Sequence, residues 1–246
     1  MKNHRLDEST IGTAKVTVDI VPKGHCIPDV KITPTSITIH NTGNIGATAR
    51  ANHNYMKNIN KSKERCASWH FTVDDKEIIQ AQSCNYKCYH AGNNKGNNTS
   101  IGIEICMFND KERQRKAYMN AIELVKILMK NYNFTDNKIK QHYEWTKKDC
   151  PTWLRSGKFG YTWSWFKNQI TETLSFSNKE EDDGSFLVKV LVDDLNIRTG
   201  PSTDYRAVGQ VHKDEVYTII KVSGNWGRLK SGAGWISIHS KYVKKI

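Results

Sequence analysis

The first two thirds of the chain alternate between strand-like and helix-like patterns of apolar residues. In Ser36–His40 and Ser100–Cys106, isoleucine alternates with polar or small residues, which is typical of strands that bury one face. Apolar residues recur at helical spacing over 113–132, and two shorter helices are predicted at about 48–62 and 162–174. This order predicts an α/β domain in which helices pack on a central mixed sheet.

The longest predicted helix has a start signal just before it. Asn109 is followed three positions later by Glu112, a spacing that is typical of a capped helix terminus. Asn109 is therefore the predicted cap.

The last quarter of the chain has a different pattern, in which short apolar runs are separated by glycine- and serine-rich turns. Such spacing predicts a small all-β barrel or sandwich. The runs are Leu187–Val192, Ala207–Val211, Val216–Val222 and Gly234–Ile238. Before them, residues 176–185 are polar and acidic, which is typical of a linker. The predicted organisation is a domain at 1–175, a linker at 176–185 and a second domain at 186–246.

Charge limits the classes of partner. The formal net charge is +12, and both predicted domains are basic while the linker is acidic. A basic surface attracts nucleic acid, acidic membranes or anionic cell-wall polymers, although it can also be a solvated surface with no particular partner. No recognisable nucleic-acid module is present, which counts against DNA or RNA. No apolar run is long enough to predict a membrane-spanning helix.

Two further features concern the cellular compartment. The N-terminus lacks the apolar segment of a secretory signal, so synthesis in the cytoplasm is expected. All six cysteines precede residue 151. In a chain without a secretory signal we expect free thiols, one of them a metal ligand, rather than a disulfide framework.

The strongest candidate chemistry lies at His142 and Cys150, eight positions apart, with Lys148 two positions before the cysteine. Imidazole and thiolate are ligands that zinc prefers, and a catalytic zinc usually has three protein ligands and one open position. His40, at the end of a predicted strand, is the best candidate for the third ligand. The alternative is a chance spacing with a buried free cysteine, which is common.

Strand alternation adds a carboxylate to this site. Glu104 lies on the strand face opposite its neighbouring isoleucines, as His40 does on its own strand. If both isoleucine faces pack under the long helix, Glu104 and His40 lie on the opposite side of the sheet and face each other across a groove. The alternative for Glu104 is a charge at a sheet edge that faces solvent.

Five motifs in order resemble a known family. They are Ile39–Thr42, Ser68–Asp75, Tyr89–Gly92, Thr99–Cys106 and the His142…Lys148-x-Cys150-Pro151 segment. Together they resemble the zinc-dependent type-2 N-acetylmuramoyl-L-alanine amidases, whose fold is shared with peptidoglycan recognition proteins, and most closely those of phage endolysins and bacterial autolysins. Residues 195–202 and the Gly-Asn-Trp-Gly and Gly-Trp-Ile segments after them resemble bacterial SH3-like wall-binding domains.

The resemblance implies roles for individual residues. It implies that zinc is held by His40, His142 and Cys150, and that Glu104 and Lys148 act in catalysis. His70 and His90 correspond to positions near the substrate. Lys147 is a neighbour that could substitute in part for Lys148. His25, His53, His212 and His239 lie in none of these motifs, and we expect them at the surface.

The implied function is hydrolysis, by zinc-activated water, of the amide between N-acetylmuramic acid and the L-alanine of the peptidoglycan stem peptide. The barrel would bind the cell wall, where the protein would act after its release. The lack of a secretory signal favours a phage lysin, which would depend on a holin-type partner for its release. The competing hypotheses are a peptidoglycan receptor on this fold that binds without cutting, and a basic nucleic-acid binder.

Overall fold

A computed structural model describes residues 1–62, 65–177 and 185–246, which form two compact units, Met1–Leu174 and Ser175–Ile246. Most of the predicted linker, residues 178–184, lies outside the described residues, so the predicted boundaries stay a prediction. Of the helices in the described ranges, none has the length and apolar character that a membrane crossing requires.

The first unit is built on a seven-stranded mixed sheet, as predicted. Its strands are β1 (Thr10–Ile11), β2 (Ala14–Val18), β3 (Ser36–Ile45), β4 (Phe71–Val73), β5 (Glu77–Gln80), β6 (Ser100–Met107) and β7 (Ile139–Gln141). The order across the sheet is β1-β2-β5-β4-β6-β3-β7. β4, β6, β3 and β7 run parallel to one another, whereas β1 is antiparallel to β2, and β4 to β5. Four adjacent strands therefore end at the same edge of the sheet.

Six α-helices lie in residues 1–62 and 65–177, the described ranges that precede the second sheet. They are α1 (Ala49–Ser62), α2 (Asn94–Thr99), α3 (Lys111–Tyr132), α4 (Tyr143–Thr146), α5 (Thr152–Ser156) and α6 (Trp163–Ser177). The cap of α3 is Asp110, whose carboxylate accepts a hydrogen bond of 2.8 Å from the backbone amide of Arg113. The predicted cap, Asn109, is wrong by one position. Both residues are of types that cap helices, and only the backbone conformation decides between them.

The hydrophobic core lies between the sheet and α3. Ile37 and Ile39 of β3 and the three isoleucines of β6 are fully buried in one cluster with apolar residues of α3 such as Leu124 and Val125. Burying an isoleucine stabilises a fold by about 1.5–3 kcal/mol. The predicted alternation is thus confirmed, since His40 and Glu104 lie on the remaining sides of these strands.

The second unit is an all-antiparallel sheet, which confirms the predicted all-β class. Its strands are β8 (Phe186–Val190), β9 (Asp194–Arg198), β10 (Ala207–His212), β11 (Val216–Ser223), β12 (Trp226–Leu229), β13 (Trp235–Ser237) and β14 (Val243–Lys245). The order is β10-β9-β13-β12-β11-β8-β14. The apolar pattern did not predict β9, β12 or β14, because charged residues interrupt it. Each nevertheless contributes a residue to the core, namely Leu195, Leu229 and Val243.

We expect Asp110→Ala to lower the free energy of unfolding of the first unit by about 1 kcal/mol, because it removes the cap of α3. Urea denaturation followed by far-ultraviolet circular dichroism measures this change, since all the described α-helices begin in the first unit. Asn109→Ala is the matched control and should leave the transition unchanged. Equal effects of the two substitutions would contradict the assignment of the cap.

Candidate metal centre and groove

The candidate site lies where β7, β3 and β6 present their polar side chains next to one another. In the register of the sheet, His40 pairs with Glu104, and Ile39 pairs with Gln141. His142 follows Gln141 directly and therefore lies beside His40. Ligands of open α/β sheets bind outside the carboxyl ends of the strands, which is the edge that these residues approach.

Three donor atoms meet at this edge. The Nδ1 atoms of His40 and His142 are 3.1 Å apart, and the Sγ atom of Cys150 is 3.8 Å from Nδ1 of His40. All three residues are buried. A tetrahedral zinc bound at the usual lengths separates two nitrogens by about 3.3 Å, and a nitrogen from a sulfur by about 3.6 Å. The donor set therefore fits a tetrahedral cation that keeps one position open.

Burial holds the two imidazoles in the form that binds metal. It lowers the pKa of His40 well below its usual value, and it lowers that of His142 to about 4, with a further contribution from Lys148. Both rings are therefore neutral at pH 7 and carry a free lone pair. Burial, together with Glu104, raises the pKa of the Cys150 thiol to about 12. A cation that binds here must displace the thiol proton, which couples metal affinity to pH.

His90 determines which nitrogen of His40 faces the centre. Nε2 of His90 lies 3.2 Å from the backbone carbonyl of Ser100, so it must donate a hydrogen bond. The ring is neutral, because burial lowers the pKa of His90 to about 3, so its Nδ1 can only accept. That Nδ1 is 3.0 Å from Nε2 of His40, which must therefore carry the proton. The lone pair of His40 is left on Nδ1, the atom that faces His142 and Cys150.

Glu104 provides a carboxylate beside the three donors, on a side chain that is 14% exposed. Its Oε1 atom is 4.0 Å from Nδ1 of His40, and its Oε2 atom is buried without a hydrogen-bond partner in the described part of the chain. Burial raises the pKa of Glu104 to about 8, and the positive charge of Lys148 opposes that rise. A carboxylate with a free oxygen and a raised pKa suits proton transfer near neutral pH.

Two adjacent lysines face different surroundings. Lys148 lines the groove, a cavity of about 620 Å³ that also contains the three donors and Glu104. Lys147 is absent from the groove lining, and its ammonium lies 5.1 Å from the centre of the Tyr143 ring. Its backbone is left-handed, with φ 64°. The geometry favours Lys148 over Lys147 for any role in the groove.

The two remaining predicted site residues occupy different positions. His90 lines the groove, whereas His70 is fully buried and does not line it. Nε2 of His70 donates to the carbonyl of Tyr86 at 2.8 Å, and its Nδ1 accepts from the amide of Gly102 at 2.9 Å. The predicted contact of His70 with substrate stays a prediction, but both ring nitrogens already have backbone partners.

The groove also contains two residues of the Ile39–Thr42 motif for which no role was predicted. Nδ2 of Asn41 and Oγ1 of Thr42 are buried without a hydrogen-bond partner among the described residues, and both residues line the groove. Their position directly after His40 was the available signal. Such unpaired polar atoms are costly unless a ligand binds them.

The expectation of a surface position is wrong for one histidine. His53 is fully buried on the inner side of α1, with Nε2 3.0 Å from a carboxylate oxygen of Asp19. It lies at helical spacing between the buried residues Ala49 and Met56, so the period of α1 was the missed signal. His25, His212 and His239 are exposed, as expected.

Comparisons with known proteins agree with this geometry. A family model described as N-acetylmuramoyl-L-alanine amidase matches residues 31–153, and one described as bacterial SH3 domain matches residues 193–244. The chain is 42% identical over 157 residues to the amidase XlyA of Bacillus subtilis (strain 168), an alignment that covers 62% of this chain and 50% of XlyA. It is 36% identical over 174 residues to the amidase CwlA of a Bacillus species, covering 68% and 65% respectively.

The fold is also found among solved structures. The structure of the catalytic domain of XlyA matches with a TM-score of 0.56 and 38% identity. The match covers 64% of this chain and 99% of that domain. The chain spans only half to about two thirds of the length of the two curated relatives.

We expect His90→Leu to weaken metal binding at His40 by about 10–100-fold, because His40 loses the partner that orients it. His90→Gln should restore most of the affinity, since an amide can accept from His40 and donate to the Ser100 carbonyl. Competition with a chromophoric zinc chelator measures both, with His212→Leu as the control. Equal affinity for the Leu and Gln variants would contradict the orienting role of His90.

Proposed function

This chain belongs to the N-acetylmuramoyl-L-alanine amidase family and carries a C-terminal bacterial SH3 domain, and from that premise we propose that it is a peptidoglycan hydrolase. The bond cut is the amide between N-acetylmuramic acid and L-alanine. One observation carries the proposal. The donor atoms of His40, His142 and Cys150 lie close together in a buried position, and the unpaired Oε2 atom of Glu104 lies beside them. A receptor that binds without cutting needs neither the cysteine nor the carboxylate, so this donor set supports the enzyme.

Zinc is the cation that we propose for the centre. Two neutral imidazoles and one thiolate are a borderline-soft donor set, and their separations suit tetrahedral coordination. When bound, such an ion polarises the substrate carbonyl and lowers the pKa of a water molecule towards about 7.

Glu104 is the proposed general base and acid. Its unpaired Oε2 would accept a proton from the attacking water and then deliver it to the amide nitrogen as the carbon–nitrogen bond breaks. A positioned proton carrier of this kind contributes about 10²–10⁴ in rate. A nearby cation would lower the pKa of the carboxyl group, because opposite charge favours the ionised form.

Lys148 is the proposed stabiliser of the developing negative charge on the carbonyl oxygen. It lines the groove with the donors, and its charge already acts on the pKa of His142 and Glu104. A fixed donor aimed at such an oxygen contributes about 2.7–4 kcal/mol to the transition state. The unpaired atoms of Asn41 and Thr42 support a role in holding the substrate beside it.

The second unit is proposed to bind the cell wall and to keep the first unit near its substrate. Tethering of this kind raises the local concentration of substrate without any new contact in the groove. Synthesis in the cytoplasm and action on the wall after release stay a prediction.

We expect Glu104→Gln to keep its metal and its fold but to lose at least about 100-fold in kcat, because the amide cannot carry the proton. Purified cell walls are digested, mass spectrometry identifies the bond cut, and the release of new N-terminal alanine gives the rate. Glu144→Gln, at an exposed glutamate on α4, is the matched control and should be fully active. A loss of less than tenfold would exclude Glu104 as the proton carrier, and cleavage of another bond would exclude the proposed reaction.

We expect Lys148→Met to lower kcat by about 10²–10³, the loss that follows when one such donor is removed. Lys147→Met is the control, since its ammonium lies over Tyr143, and it should retain full activity. The same wall assay measures both variants. A larger loss of kcat for Lys147→Met than for Lys148→Met would assign the stabilising role to Lys147 instead.

Removal of residues 186–246 should weaken binding to intact walls and slow their lysis. Hydrolysis of small soluble muropeptides should be unchanged, because the groove is built from the first unit alone. Sedimentation with purified walls measures the binding. Unchanged wall binding by the shortened chain would argue against targeting by the second unit.

A further inference from the structure

We propose that His25, Cys26 and Cys66 form a second metal site, which takes a borderline or soft divalent cation of the zinc class. One donor atom from each residue lies within 4.8 Å of the other two. Among the described residues, only this cluster and the His40 centre bring three such donors so close together. The proposed hydrolysis uses none of these three side chains, so the two proposals stand separately.

Cys26 is held in place by neighbours that are themselves buried. Its backbone amide donates to Oδ1 of Asn60 at 2.8 Å, and its carbonyl accepts from Oγ of Ser68 at 2.7 Å. Nδ2 of Asn60 donates in turn to the carbonyl of Pro22 at 3.0 Å, which closes the loop on the last turn of α1. The position of the Cys26 sulfur is therefore set by the packed interior.

The loop can approach Asn60 this closely because Gly24 has no side chain. A Cβ atom at that position would lie only 2.4 Å from Nδ2 of Asn60. The backbone amide of His25 also donates to the carbonyl of Asn60, at 3.3 Å. Asn60 thus fixes two consecutive ligand residues from one helical position.

The other two donors lie at the surface, where the Cys66 thiol donates to the backbone carbonyl of His25 at 3.8 Å. His25 and Cys66 are exposed, while Cys26 is fully buried. A tetrahedral zinc separates two sulfurs by about 3.8 Å and a sulfur from a nitrogen by about 3.6 Å. Rotation of the two exposed side chains needs to move their donor atoms by only about an ångström to bring them to these distances from the Cys26 sulfur. Two thiolates and one imidazole give a dication a neutral site with one position left for water.

The location indicates what the metal would do. Cys26 lies before β3 and Cys66 lies after α1, so one ion would join two segments that are far apart in sequence. Cys66 lines the groove, and with His25 it also lines an adjoining recess that contains Tyr89 and Gly92. The ion would therefore fasten one wall of the groove.

The test measures the zinc content of the full chain. The protein is kept reduced, its metal is removed with a chelator, zinc is added back, and unbound zinc is then removed. Inductively coupled plasma mass spectrometry should find two zinc ions per wild-type chain, and one in Cys66→Ser or in Cys150→Ala. The double variant should hold none. Cys88→Ala, at a buried cysteine outside both clusters, is the matched control and should hold two. Two ions in Cys66→Ser would overturn the proposal, whereas two in Cys150→Ala would overturn the His40 centre instead.

Cobalt gives a second measurement that depends on the sulfur ligands. In the Cys150→Ala chain, bound Co²⁺ should show thiolate-to-cobalt charge-transfer absorption, and Cys66→Ser or His25→Ala in that background should remove or weaken it. Absence of these bands would overturn the site. A bond between Cys26 and Cys66, found by intact mass and alkylation in protein purified under reducing conditions, would also overturn it.

Discussion

The parallel register of β3 between β6 and β7 is the constraint on which the candidate site depends. The pairing of His40 with Glu104, and of Ile39 with Gln141, places His40 between Glu104 and His142, the residue that follows β7. A slip of one residue would exchange the two faces of β3, so that Ile39 would reach the groove and His40 would enter the core. The buried isoleucines oppose that slip, because each would lose its apolar contacts. The core under α3 thus sets the chemistry on the other face.

The arrangement of the groove lowers the stability of the protein when no ligand is bound. Two imidazoles meet with their Nδ1 atoms 3.1 Å apart, a thiol stays protonated, and a carboxylate oxygen lacks a partner in the described chain. Buried polar atoms without partners destabilise a fold by about 1–3 kcal/mol each. A cation among the donors and a substrate over the groove would satisfy these groups together. Stability and function are therefore in tension at this edge of the sheet, which is common for sites that must bind something.

Much of this arrangement could be predicted from the sequence, because it follows from short-range patterns. Alternation along β3 and β6 placed His40 and Glu104 on one side, and the spacing of His142 and Cys150 indicated a metal. The tertiary contacts were less accessible. Nothing in the sequence says that Asn60 brings Cys26 towards Cys66, forty positions away, or that backbone groups occupy both nitrogens of His70. The choice of Asp110 over Asn109 likewise depends on local dihedral angles that composition does not encode.

The left-handed backbone of Lys147 has a consequence for how this segment can change over evolutionary time. The ammonium of Lys147 lies over Tyr143, whereas Lys148 lines the groove. The number of residues between His142 and Cys150 therefore decides which side chains reach the groove. Inserting or deleting a single residue there would exchange the two lysines and displace the sulfur. Length variation among descendants of this gene should therefore accumulate elsewhere, in the exposed turns of the second unit, while this stretch drifts only by substitution.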